Sequence, residues 1–452
     1  MSLSRPVFRP LTLTVAVVLA FATNAQAQSL VEMFDSARGY DAAFISAKAQ
    51  FEANLAKANQ NLGGILPNIA LSASATRTYF DGRNDNGTPW AISPNPRLYG
   101  TGVAAVTLSQ PIYRPAAWAA YRQGGHLLQQ AAAQYEAAEQ DLLVRVTQAY
   151  FDVLTSEDNL DLVQTQKKAV AEQLASAQRN FEVGTATITG VRDAQARYDL
   201  ANAQEIAGEN DLRIKRLALD LAVGLSNAKP KRLANNTQLL SPPTEDVNAW
   251  VGMSETSSPA IRQAQLGLDI ASLEVNKATA GHKPTLDAQI SYSGIRNADG
   301  STTSTAAQHI YNPSAAIVLN VPIFAGFSTM YRVKETVALE NKARSDYENA
   351  KRSTAQATRT AYFGLIAGLS QVKAYEAAEA SSQSALDANK LGYSVGVNIN
   401  IDVLNSQSQL YQTKRDLAKA RYDVLVTHLK LRQAAGTLTP ADLLPINDLL
   451  AP

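Results

Sequence analysis

The chain has 452 residues, a formal net charge of +1 and no cysteine. Near-neutral charge leaves no electrostatic footprint for nucleic acid, and the missing cysteines remove disulfides, thiolate metal sites and thiol catalysis together. A 46% hydrophobic chain with only 7% aromatics is the composition of long, alanine-rich helices.

Arg5 and Arg9 precede an apolar run from Leu11 to Phe21, and Ala25-Gln26-Ala27 follows as a small-x-small site. This predicts a secretory signal peptide over 1–27, cut after Ala27. No Cys follows the cut, so no lipid anchor is expected there. Beyond residue 28 no apolar run reaches the roughly 18 residues of a transmembrane helix, which leaves strands as the route into a membrane.

Leu30 to about Leu62 reads as one helix, stopped by Gly63-Gly64 and Pro67. The period then changes to two: Ile69, Leu71, Ala73, Ala75 and Tyr79 alternate with Ala70, Ser72, Ser74, Thr76 and Thr78, a strand over about 68–79. A polar loop follows over 81–96. A second strand is expected over about 98–110, with Val103 and Ala105 read against Thr101 and Thr107. From about Ala116 to Val183 no proline interrupts a helix of roughly 100 Å. Gly124-Gly125 is the place where it would bend, and Val146, Tyr150, Val153 and Leu160 form a near-heptad seam. A returning helix is expected over about 191–225.

The plan then repeats. A mixed segment over 226–258 leads to a helix near 259–280, strands near 285–293 and 314–321, a long helix to about Gly392 and a return ending near Gly436. An offset of 212 residues carries Phe181 to Tyr393, Gly184 to Gly396, Val191 to Val403, Tyr150-Phe151 to Tyr362-Phe363 and Gly224 to Gly436. A constant offset over separate segments means internal duplication. The two structural repeats are expected at 28–240 and 241–452. Each holds a helix–strand–strand–helix–helix unit whose two shorter helices stack end to end beside the long one.

The repeats share a helix–turn–helix tip, at about 181–193 and 393–405. Gly184 and Gly396 suit the left-handed position just past a helix end. Thr187 or Thr189 is placed to cap one returning helix, and Asn398 or Asn400 the other, with Asp193 and Asp402 in or near the first turns. Four strands with one apolar face cannot close a barrel alone, and an open edge is not viable in lipid. Closure must come from other copies: two would give eight strands with a filled interior, three would give twelve with room for water.

Nothing in the chain carries catalysis. His126, His282, His309 and His428 are scattered, without a metal-binding spacing, and no nucleophile elbow or phosphate-binding loop is present. No enzyme activity and no cofactor are expected.

Several stretches resemble the TolC family of outer-membrane efflux and export channels. They are Tyr393-Ser394-Val395-Gly396 with Ile401-Asp402-Val403-Leu404, its twin Asn180-Phe181-Glu182-Val183-Gly184, Ser109-Gln110-Pro111-Ile112, Val321-Pro322-Ile323-Phe324 and Ala434-Ala435-Gly436-Thr437-Leu438. The resemblance spans the whole mature chain. It implies a mainly α fold with a small transmembrane β part. Four strands per chain would enter a twelve-stranded trimeric barrel in the outer membrane of a Gram-negative bacterium. A periplasmic α-barrel would hang below it, with an equatorial region here at 226–258 and 437–452. It further implies a passive duct docked to a periplasmic adaptor (membrane fusion) protein and an inner-membrane ABC or proton-driven transporter. Carried onto this sequence, Asp402 and Asn405 stand at the pore constriction, and Tyr393, Asn398, Thr189 and Gly190 at the gate. Val183, Gly184, Thr185, Val395, Gly396 and Val397 form the adaptor-docking tips. The chain departs from the family where Asn405, Asn398 and Gly190 replace charged residues, which removes the parts of a salt-bridge lock between hairpins. A soluble periplasmic coiled-coil scaffold or adaptor is the other reading; it needs neither the alternating strands nor the long polar loops.

Overall fold

The computed structural model describes residues 28–89, 96–185, 187–234 and 246–451. The expected signal peptide lies outside the described residues. Fifteen residues past that point the first correction falls: the opening helix is two helices, α1 (Leu30–Tyr40) and α2 (Ala42–Leu62). Asp41 makes the break. Its carboxylate accepts the backbone N–H of Phe44 at 2.7 Å, capping α2, and also receives Arg145 of the long helix at 3.1 Å. A 33-residue run without Pro gives no composition signal for such a break, because an Asp that caps looks like an Asp on a solvated face.

Two strands follow, β1 (Asn68–Phe80) and β2 (Arg97–Tyr113), then the hairpin of α3 (Pro115–Glu182) and α4 (Ile188–Val223). The second repeat gives α5 (Val247–Ser257), α6 (Pro259–Thr279), β3 (Thr285–Asn297), β4 (Gln308–Asn320), α7 (Ser328–Ser394) and α8 (Asn400–Ala434), and α9 (Leu443–Asn447) closes the chain. The break recurs in this copy, between α5 and α6 at Ser258. Up to the strands the repeat offset is 217, carrying Leu30 to Val247, Ala42 to Pro259 and Asn68 to Thr285; at the returning helices it is 212, carrying Ile188 to Asn400. The missing length lies mostly in the distal turn, 81–96 in one copy and 298–307 in the other.

The long helix α3 runs through Gly124-Gly125 without interruption. Gly124 serves a close approach: a Cβ on it would stand 3.0 Å from the Ala58 carbonyl of α2. α3 packs against α2 and α4 on its two halves, and α7 packs likewise against α6 and α8. The repeats join through α3, which meets both α6 and α8. α4 and α7 are left as the outer flanks.

The largest core lies at mid-length, where α1, α9 and the following segments wrap the hairpins. Tyr150 is fully buried and donates to the Lys231 carbonyl at 2.9 Å. Phe151 stacks on Tyr422 at 5.4 Å, and the Tyr422 hydroxyl donates to Asp158 at 2.7 Å. Burial pushes the Asp158 carboxyl above the usual carboxylate range, with the Tyr422 hydrogen bond pulling the other way. Leu438, Leu443, Ile446 and Leu450 close this core from the C-terminal segment.

The four strands form one antiparallel sheet in the order β1-β2-β3-β4. The register puts Ile69 and Leu71 of β1, Leu108 and Val106 of β2, Ile290 and Tyr292 of β3, and Ala315 and Ile317 of β4 on one face. Ser72, Ser74, Thr107, Ser291, Ser293, Asn312 and Ser314 take the other. Two hydrogen bonds cross that polar face between strands, Ser291 to Ser314 at 2.7 Å and Thr101 to Asn297 at 3.0 Å. In β2 the expected alternation was misread: Thr101, Val103, Ala105 and Thr107 are two apart, so all four share the polar face, and Leu98, Ala104, Val106 and Leu108 oppose them. The strands also run further from the helices than their composition suggests. Gly294 and Pro313 read as loop residues, yet Pro313 sits on an edge strand, where a missing N–H is tolerated.

Candidate functional site: the paired helical tips

Two turns lie at the end of the hairpins farthest from the sheet. After α3 the chain turns through Gly184 at φ +77°, and after α7 through Gly396 at φ +79°. The carbonyls left open at the helix ends are met in the same way in both. Val183 donates to Arg179 at 3.2 Å, Gly184 to Phe181 at 3.0 Å and Thr185 to Asn180 at 2.8 Å; each bond reappears 212 residues on, as Val395 to Leu391, Gly396 to Tyr393 and Val397 to Gly392. The duplication is thus preserved to single hydrogen bonds.

The returning helices start differently. Thr187 caps α4, its hydroxyl accepting from the Gly190 N–H at 3.4 Å and lying 2.7 Å from the Thr189 hydroxyl. Neither Asn398 nor Asn400 caps α8. The cap position is Ile399, whose hydrocarbon side chain accepts nothing, and Asp402 reaches back to its N–H at 3.2 Å. Asp402 therefore complements the positive helix start as well as satisfying a donor. Asn398 folds over Gly392 and donates to Asn389 at 2.7 Å; a Cβ on Gly392 would sit 2.6 Å from the Asn398 amide. Asn389 in turn donates to Ser406 of α8.

The hairpins meet each other along α3, α4 and α8. Leu404 is buried among Val170, Leu174, Ala177 and Ala194. Around it Asn180 donates to the Tyr393 hydroxyl at 3.1 Å, Gln173 bonds Asn400, and Arg197 donates to Asn405 at 2.6 Å and Ser408 at 3.5 Å. Among the described residues no ion pair joins the two hairpins. The neutral residue at 405 has a counterpart: Arg197, whose described hydrogen bonds across this seam all go to neutral oxygens. Between the tips lies a cleft of about 590 Å³. It brings together Tyr393, Asn398, Thr189, Gly190, Thr185 and Gly396, with Asn180 and Asp193. Asp402 and Asn405 lie outside its lining, as do Val183, Gly184, Val395 and Val397, whose valines point into solvent at 71%, 65% and 78% exposure. Sequence reasoning missed Asn180, Gln173, Arg197 and Asn389. Their only signal is amides and one arginine interrupting Ala-rich helix within a few turns of each glycine. Among the described residues no group of His, Asp or Glu is placed to hold a metal, and none of the helices is long and apolar enough to cross a membrane.

A sheet with one apolar face and two open edges, set on helical hairpins whose long helices run 68 and 67 residues, defines the subunit of an outer-membrane export channel. The chain belongs to the outer membrane efflux protein family, whose model matches residues 34–225 and 250–437. It is 31% identical over 421 residues to Outer membrane protein TolC of Vibrio cholerae serotype O1, covering 93% of each chain. It is 27% identical to Alkaline protease secretion protein AprF of Pseudomonas aeruginosa, covering 95% of this chain and 88% of the relative. In fold it matches the crystal structure of the outer membrane protein VceC of Vibrio cholerae with a TM-score of 0.78 at 17% identity, covering 90% of this chain and 96% of the other. It is an outer-membrane protein, and its helical part extends away from the sheet as the exit duct of an efflux or type I secretion route.

Proposed function

We propose that three copies close into one duct, a twelve-stranded barrel continued by a helical tube, and that the duct is passive. The observation that carries this reading is a pair of unlike seams on the two outer flanks. α4 exposes Leu200, Ile214, Leu217 and Leu221, with Ala203, Ala207 and Asn210 completing a 3–4 spacing. α7 exposes Ala367, Ser370, Ala374, Ala377, Ser381 and Ser384 on the same spacing, between Phe363 and Leu391. Large side chains on one flank and small ones on the other are knobs and holes for a head-to-tail contact, which generates a ring when the rotation closes. The open edges of β1 and β4 would pair in the same assembly.

In this reading the tips Val183-Gly184-Thr185 and Val395-Gly396-Val397 receive a periplasmic adaptor coupled to an inner-membrane ABC or proton-driven pump. Relatives named for efflux and relatives named for protease secretion both match, so the choice of cargo is assigned to the pump and not to the duct. Leu217→Lys with Leu221→Lys is the test. Mass photometry in detergent should give three copies for the natural protein and single copies for the variant, at unchanged helix content. A variant that stays trimeric removes the seam. A natural protein that washes from membranes in carbonate supports the soluble scaffold instead.

A further inference from the structure

The apolar face of the sheet changes character at the end farthest from the helices. One rung runs Ala75, Gly102, Arg296, His309 across the four strands, and on the next rung Arg77 stands opposite Gly100. Below this level the same face is Ile69, Leu71, Ala73 and their neighbours, and none of the strand residues on it is acidic. Arg77, Arg296 and His309 are exposed. Neither arginine makes an ion pair or hydrogen bond among the described residues. Asp299 comes up beside Gly100, 3.8 Å from where a Cβ would stand, and pairs with neither.

Position along the strand says what meets these cations. Ten residues separate Leu286, on the lowest rung, from Arg296. That is about 34 Å of strand, or about 26 Å of height at the usual barrel tilt, close to the full apolar band of an outer-membrane barrel. Tyr79, on the rung beyond Arg77, and Tyr311, on the rung next below Arg296, are exposed on the same face, and amphipathic rings favour the headgroup boundary. Between the two arginines β2 presents only Gly100 and Gly102, a floor with no side chain of its own and with the Asp299 carboxylate at its Gly100 edge. Arg77 and Arg296 stand two strands and one rung apart, about 12 Å, a span that two arginine side chains can cross to reach one anion. A guanidinium fork matches phosphate better than any other common anionic group of a lipid surface.

We propose that Arg77 and Arg296, over the Gly100–Gly102 floor and beside His309, hold a phosphate of the anionic glycolipid in the outer leaflet of the outer membrane. The inference rests on the apolar face pointing outward. A basic residue near an anionic lipid surface strengthens binding roughly fivefold, so two give roughly 30-fold.

The test uses the full chain in detergent and native mass spectrometry, with lipid A and the same glycolipid stripped of phosphate as probes. The natural protein should retain lipid A roughly 30-fold more tightly than the stripped form, and Arg77→Gln with Arg296→Gln should erase that ratio. Arg83→Gln, a charge change in the adjoining loop where Arg83 pairs with Asp81, should keep it. Equal retention of both probes by the natural protein, or an undiminished ratio in the double variant, overturns the site. Complete displacement of lipid A by excess inorganic phosphate overturns it too, in favour of a pocket for free anions. If neither glycolipid is retained by a protein that is still trimeric in detergent, the site is overturned and the barrel reading stands; loss of the trimer as well would overturn both.

Discussion

At the scale of single residues, four glycines at helix ends share a left-handed backbone and differ in what surrounds them. Gly184 and Gly396 have nothing within 4 Å of an added Cβ, so alanine there meets only backbone strain, about 1 kcal/mol. At Gly224 the Cβ would fall 2.2 Å from the Tyr40 ring, which is 55% exposed and able to swing away. At Gly436 it would fall 2.5 Å from the backbone of Ser258, which cannot move aside and adds about 1–3 kcal/mol of overpacking. Thermal melts of the four Gly→Ala variants should rank Gly436 lowest, Gly224 next and the two tips nearest the natural protein. Equal melts would refute the ranking. The glycines themselves were legible in the sequence because duplication printed each one twice. The caps were not: Thr187 has a hydroxyl that can be read, but Asp402 caps from three residues inside its helix, behind an isoleucine.

At the scale of elements, the long helices, the strands and the tips follow from proline-free runs and from the change between a period of two and a period near three and a half. What stayed hidden was every feature in which one element answers another. The break at Asp41 depends on Arg145 of a different helix, and the Asn180–Tyr393 and Arg197–Asn405 contacts join segments more than 200 residues apart. The tips illustrate the difference. Their glycine turns are local, whereas the valines beside them, Val183, Val395 and Val397, join none of the buried clusters among the described residues. Replacing Val183 and Val395 by Ser should therefore leave trimer and melting temperature unchanged while export falls, if these residues meet an adaptor. Unchanged export would withdraw the docking role and leave the turns as helix ends.

At the scale of the whole molecule, we propose a second role for Asp402. In one chain it is a capping carboxylate. In a closed ring of three, Asp402 residues near the tips would face one another. At a separation of about 7 Å each pair repels by roughly 1 kcal/mol with an effective dielectric near 40, a field that draws cations to the mouth. Single-channel recording of Asp402→Asn should show weaker cation preference and weaker block by multivalent cations. With Asn405 next along the helix in place of an acid, the preference in the natural protein should already be mild. Unaltered selectivity with an earlier melt would return Asp402 to its capping role alone.

The middle of the sheet sets the order in which the molecule can form. β1 pairs with β2, and β3 with β4, each its neighbour in sequence across the segments 81–96 and 298–307, so both outer pairings are local. The central pairing is not: Thr101 and Asn297, opposite each other in register, are 196 residues apart in the chain. Closing that gap costs chain entropy that no early contact repays, whereas the α3–α4 hairpin, which lies within the gap, is built from near neighbours and forms quickly. The expected order is therefore the helical shaft and the two outer strand pairs first and the central β2–β3 pairing last, on helices that already hold the two strands side by side.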